Sequence, residues 1–276
     1  MTEQTSHPDV PKPCPPTHRV FPTPAQVWQN GDVAPRRPSG IGGDFSAQTP
    51  TMLRAAVILD YQNVHLTARD VFGPGDEAHD WLIHPMLFAR AAVARRNQIQ
   101  REGHPQAEVA TVVAFRGMPH SEYDPDQHRY AAAQASKWRA DGVTMQTRDL
   151  TYNYQRAADG TPVRDINGRK IVTGPGREKG IDVLCALECV RQAQRAEIDL
   201  VMLASRDTDL VPALDHVYDL HGRDPHHTSR IETLTWWDPQ GTAHLGSLRP
   251  SGGRRIWNTN LDRSVATASL DRNDYR

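Results

Sequence analysis

From Leu53 onward, short unbroken apolar runs alternate with longer segments of helical spacing. This alternation constrains the fold more than any other feature of the chain. Residues 55–60, Val109 to Phe115, Val143 to Thr147, Asp199 to Ala204 and Ile231 to Trp236 read as strands. Between them, residues 82–101, 125–140, 179–195 and 209–221 read as helices. In 82–101, Leu87, Ala91 and Ala94 share a stripe with the arginines outside it. Asp141-Gly142 ends 125–140, and Pro212 suits the first turn of 209–221. Strands buried on both faces and separated by helices predict an α/β fold: a three-layer αβα sandwich with a mostly parallel central sheet.

The chain divides into a tail, a domain and an extension. Ten of the 21 prolines fall within residues 1–52. Few apolar residues separate them, so this Pro-rich tail is expected to be disordered. Met52 stands just before the first strand as a second candidate start. The domain is expected over 53–240, with an insertion at 148–178 that carries a hairpin turning at Asn167-Gly168. Residues 241–276 read as a partly disordered polar extension, with a short helix after Gly252-Gly253. No internal repeat is evident. Three cysteines argue against a disulfide scaffold, and Cys185 and Cys189 share a helix face as small buried residues. The chain lacks a secretion-signal pattern and any long apolar run, so a cytoplasmic protein away from membranes is expected. The net charge of −1 supplies no global attraction for nucleic acid, so any such role needs a local basic patch.

Four aspartates sit at strand or helix junctions. Asp60 closes the first strand, Asp207 and Asp209 follow the fourth, and Asp182 opens the helix after Lys179-Gly180-Ile181. In an open α/β sheet, ligands bind beyond the carboxyl ends of the strands. Carboxylates converging there repel one another unless a cation joins them, and oxygen-rich clusters suit Mg²⁺ or Mn²⁺. The plain alternative for each is a helix N-cap, which Asp209 fits well ahead of Leu210-Val211-Pro212. No Gly-x-Gly-x-x-Gly follows the first strand, which excludes a dinucleotide site there. Adjacent His226 and His227 lack the spacing of a zinc site.

Three segments carry a resemblance. Val57-Ile58-Leu59-Asp60-Tyr61-Gln62-Asn63 resembles the opening strand of the NYN domain, a branch of the PIN-like metal-dependent ribonucleases. Glu178-Lys179-Gly180-Ile181-Asp182-Val183 is similar to its second motif, Lys-Gly-x-Asp-Val. Ser205-Arg206-Asp207-Thr208-Asp209-Leu210-Val211-Pro212 resembles its third, Ser-Gly-Asp-Ser-Asp-Phe-x-Pro. The three motifs fall in order across residues 55–236. The resemblance implies an endoribonuclease in which Asp60, Asp182, Asp207 and Asp209 hold Mg²⁺ or Mn²⁺, while Asn63 orients a carboxylate or phosphate. It also implies homodimerisation. Tyr61 and Arg206 replace common glycines and are expected to narrow the site or touch substrate.

Between residues 148 and 180, seven cations face four carboxylates, interleaved with Tyr152 and Tyr154. Such a surface suits single-stranded RNA, with Arg177 and Lys179 nearest the second motif. The competing reading is a catalytically inactive RNA-binding or protein-interaction module on the same fold. In that reading, Arg206 pairs with Asp207 or Asp60 and stands in for the cation.

Overall fold

A computed structural model describes residues 52–241 and 246–275. The Pro-rich tail expected over 1–52 therefore lies almost wholly outside the described residues. The chain runs β1 (Met52–Asp60), α1 (Tyr61–Phe72), α2 (Pro85–Ile99), β2 (Gln106–Met118), α3 (Pro125–Ala140), β3 (Thr144–Asp149), α4 (Ile181–Ala193), β4 (Leu200–Ala204), α5 (Val211–Arg223), β5 (Arg230–Trp236), β6 (Asn258–Leu261) and α6 (Arg263–Ala268). Short 3₁₀ turns occupy Ala78–Trp81 and Thr208–Leu210.

The six strands form one sheet in the order β3-β2-β1-β4-β5-β6, and every neighbouring pair is parallel. The chain winds outward from β1 to β3, then returns to the centre and winds the other way from β4 to β6. The order reverses between β1 and β4, whose carboxyl ends flank the crevice where such sheets bind ligands.

Period-two alternation sorts side chains onto two faces. Ala55, Val57 and Leu59 face one core with α1, α2, α3 and α6. Ala56 and Ile58 face the other with α4 and α5, where Cys185 and Cys189 are both buried. Asp60, two residues beyond Ile58, falls on the α4 side.

Two elements depart from expectation. Helix α1 begins directly at Tyr61, with Val64, Ala68, Val71 and Phe72 on its buried stripe. The segment read as an extension supplies β6 and α6, and Leu261, Val265 and Ala266 join the core.

The insertion turns at Asn167-Gly168, where Gly168 takes φ +79°. Its geometry also repeats every eight residues, which the sequence reading missed. Ala157 N–H donates to Thr161 O and Asp165 N–H to Arg169 O, both at 2.8 Å. The Arg156 guanidinium donates to Gly160 O at 2.7 Å, and that of Arg164 to Gly168 O at 2.6 Å. Gln155, Val163 and Ile171 close a ring of backbone bonds, from 155 to 171, 171 to 163 and 163 to 155. Polar, divergent side chains hide this repeat; the Arg and Gly positions carry it.

Candidate active site

Asp60 ends β1 with only 6% of its surface exposed. A lone carboxylate there is costly, because burial removes its hydration. Burial is the main reason its pKa rises to about 6, and the carboxylates of Glu178 and Asp207 push it the same way. The Ser205 hydroxyl opposes them, donating to Asp60 Oδ2 at 2.9 Å. The same hydroxyl accepts the Asp207 N–H at 3.1 Å. Ser205 therefore ties the ends of β1 and β4 together.

Asp60, Glu178 and Asp182 all act electrostatically on one thiol, that of Cys185. Burial raises the Cys185 pKa most, followed by the charge of Asp60, with Glu178 and Asp182 adding to it. Asp182 occupies the first turn of α4. Gly180 precedes that helix at φ +77°, a left-handed conformation that suits glycine. A Cβ at Gly180 would lie 2.8 Å from the Arg148 guanidinium, so this cation sits against the head of α4.

Glu178 and Arg148 are the site residues that sequence reasoning did not assign a role. Glu178 is half-buried, and its Oε1 accepts the Gly117 N–H at 2.6 Å. Burial raises its pKa despite that bond and the nearby Arg116. A Cβ on Gly117 would come within 2.7 Å of Glu178 Cγ, so the glycine admits the carboxylate. The signal available was Glu178's place immediately before Lys179-Gly180; its partner Gly117 lies on β2 and could not be read from the motif.

The remaining predicted residues divide. Asp207 caps the Thr208–Leu210 turn, accepting the Asp209 N–H at 3.0 Å. The cap assigned to Asp209 thus belongs to Asp207, and Asp209 is exposed. Asn63 Oδ1 accepts the Arg206 N–H at 3.0 Å, so Asn63 holds the loop that carries Asp207. Lys179 and Arg177 are exposed beside the α4 head, and Arg177 pairs its backbone with Thr151 at the insertion's base.

Tyr61 departs from its expected substrate contact. It is 1% exposed and stacks near His65 and Trp138, with the Arg116 guanidinium 5.1 Å from its ring centre. The first turn of α1 points it into the core opposite the acids. Arg206 is also turned aside. Its side chain lines a small niche with Val64, Thr67 and Trp236, and Asp70 is the carboxylate acting on it. Among the described residues it forms no ion pair with Asp60 or Asp207, and its buried Nε has no hydrogen-bond partner.

Whether these groups suit a cation can be judged from Asp60. Its carboxylate is buried among like charges, and a divalent ion would offset that repulsion. The donor set fits Mg²⁺ or Mn²⁺, although among the described residues no three ligating groups already stand at metal-binding spacing. Comparison with protein-family models, curated proteins and solved structures found no match. The functional reading therefore rests on the residues themselves. No helix among the described residues is long and apolar enough to cross a membrane.

Proposed function

We propose that this chain is a metal-dependent endoribonuclease of the NYN type, hydrolysing phosphodiester bonds of single-stranded RNA. The observation that carries the reading is Asp60, a buried carboxylate raised to about 6 beside Glu178 and Asp207 at the reversal point of the sheet. Asp60, Asp182 and Asp207, with Glu178 added, would hold Mg²⁺ or Mn²⁺. Such an ion supplies Lewis acidity and charge neutralisation for in-line attack at phosphorus.

The chain's own residues do the rest. Ser205 fixes the Asp60 carboxylate, Gly117 fixes that of Glu178, and Asn63 fixes the backbone before Asp207. Arg148 and Lys179 flank the head of α4 and take phosphate oxygens of the strand. Beyond them, Lys170 lies 4.9 Å from the centre of the Tyr154 ring, and Tyr123 packs on Tyr152 and Tyr154. This basic and aromatic surface suits unpaired bases.

The test is cleavage of end-labelled single-stranded RNA with Mn²⁺ or Mg²⁺, comparing wild type with Asp207→Asn. Asparagine keeps the cap on residue 209, so the fold should be retained. Cleavage should require the metal and fall by more than about 100-fold, the upper range for losing an outer-shell partner of a metal ligand. Equal cleavage by the variant, or cleavage undiminished in chelator, would refute the reading.

One observation favours the second reading, a non-catalytic binding module: no ready-made ligating triad exists among the described residues. Titration calorimetry with Mn²⁺ separates the two. Heat of binding in wild type that is lost in Asp60→Asn supports the enzyme, and no heat in either supports the module. The orientation of Arg206 removes the argument that it replaces the cation.

A further inference from the structure

The edge of the sheet at β6 concentrates arginines and exposed aromatics outside the three motifs. Among the described residues, the Tyr and Trp side chains most open to solvent are Tyr218 at 38%, Trp237 at 40% and Trp257 at 36%. All three line one of two adjoining cavities. The first, of about 360 Å³, lies between the end of α5 and the start of β5 and is walled by Tyr218 and Trp257. The second, of about 610 Å³, runs past Thr233 and Thr235 to Trp237 and Asn260. Arg255, Ile256 and Trp257 line both.

The lower cavity opens there because β6 is short. It pairs with β5 only from Thr233 onward, so among the described residues no strand lies beside 230–232 on that edge. The charge along the edge is one-sided. Among the described residues lining the two cavities, Glu232 is the only carboxylate, and Arg96 neutralises it through two bonds of 2.8 Å. Asp219 holds Arg254 in place at 2.7 Å. Arg230, Arg249 and Arg255 have no ion-pair partner among the described residues and are left to attract an anion. Cations alone would suit any polyanion. Flat, exposed indole and phenol rings between them suit a ligand whose bases can stack.

We propose that this edge is a second nucleic-acid-binding face. It holds single-stranded RNA with bases on Trp257 and its aromatic neighbours and phosphates on Arg230, Arg249 and Arg255. The proposal deepens the ribonuclease reading and rests on it for the identity of the strand. Trp237 and Asn260 stand at the carboxyl ends of β5 and β6, the end of the sheet at which Asp60 closes β1. Strand order puts β6 three spacings from β1, roughly 14 Å. A strand seated here is long enough to lead to the acids, so this face sets which longer RNAs are held during cleavage.

The experiment measures anisotropy of a labelled oligouridylate of about 12 nucleotides, within the span of known single-strand sites. The full chain is used in chelator, so that binding is read without cleavage. The variants are Arg230→Glu with Arg255→Glu, Trp257→Ala and Trp257→Phe. The charge reversal should weaken binding at least tenfold, on the order expected for lost phosphate contacts, and flatten its salt dependence. Trp257→Ala should weaken it roughly tenfold, and Trp257→Phe should restore most of the loss. Cleavage of a trinucleotide, too short to span both places, should be unchanged in the charge-reversed protein. Asp207→Asn should bind the oligonucleotide as wild type does.

Unchanged oligonucleotide binding on charge reversal overturns this face even if cleavage is intact. Equal competition by an acidic peptide overturns the nucleic-acid assignment. Lost binding on charge reversal, in a protein that cleaves nothing, upholds the face and refutes the ribonuclease.

Discussion

Two buried carboxylates on the same sheet, Glu232 toward the start of β5 and Asp60 at the end of β1, meet opposite treatment. Near the lower end, Glu232 is fully paired. Arg96 reaches it from α2 with both nitrogens of a fork at 2.8 Å, and the two side chains are 4% and 8% exposed. At the upper end, Asp60 is as deeply buried but receives only neutral donors, the Ser205 hydroxyl and the Asn63 backbone, with Glu178 and Asp207 for neighbours. The fold supplies a cation where it needs structure and withholds one where the crevice opens. The contrast separates a charge neutralised within the scaffold from one left uncompensated, which under the proposed function is the one a cation would meet. The largest expected effect breaks the paired end: Arg96→Ala leaves Glu232 buried and uncompensated and should cost about 3–5 kcal/mol in urea unfolding. A loss under about 1 kcal/mol would mean that water reaches Glu232, and the two ends would no longer differ in kind.

The upper end should respond with the opposite sign. Asp60 takes up its proton near pH 6 in the fold, against an ordinary value of 3.8. Between these values the folded chain holds a proton that the unfolded chain has released. Stability therefore falls as pH rises from about 4 to 6, and the penalty persists above. Asp60→Asn removes it and should stabilise the metal-free protein at neutral pH by on the order of 3 kcal/mol. The slope of stability between pH 4 and 6 should flatten too. Excess Mn²⁺ should raise the melting temperature of wild type and leave that of the variant unmoved. Destabilisation by Asp60→Asn in chelator would show that the carboxylate is at ease in the fold.

Which parts of this contrast could be read beforehand follows from physical range. The strands of the central sheet announce themselves because burial on both faces demands unbroken apolar runs, as in Ala55 to Leu59. Helix α3 ends where Asp141-Gly142 says it should. The positions of Asp60, which closes such a run, and of Asp207, three residues past another, were legible for the same reason. Strand β6 was not, since Asn258, Thr259 and Asn260 look like a loop; as an edge strand it needs only Thr259 and Leu261 inside. Glu178 was not assigned because its role depends on Gly117, 61 residues away. The same limit applies to Tyr61: its place beside the first acid suggested the crevice, and only the packing of Trp138 and Arg116 shows that it points into the core. Local pattern reports burial and chain reversal well, but it cannot report which side of a helix turn a ring will take.

The finest test of the contrast is the hydroxyl that stands where an arginine could have been. Ser205 Oγ donates to Asp60 Oδ2 at 2.9 Å while accepting the Asp207 N–H at 3.1 Å. It lowers the cost of the Asp60 charge without cancelling it, which leaves room for a cation. Ser205→Ala removes the donor and strands the Asp207 N–H. Stability should fall by about 1 kcal/mol at neutral pH, the net worth of one such bond. The loss should be smaller near pH 4, where Asp60 is protonated and its bond to the hydroxyl is no longer charge-assisted. In carboxyl-detected NMR the Asp60 midpoint should climb further above its wild-type value, because a force that lowers it is gone. An unmoved midpoint would make Ser205 a spacer between β1 and β4, and the tuning of Asp60 would then belong to burial, its acidic neighbours and the Asn63 backbone.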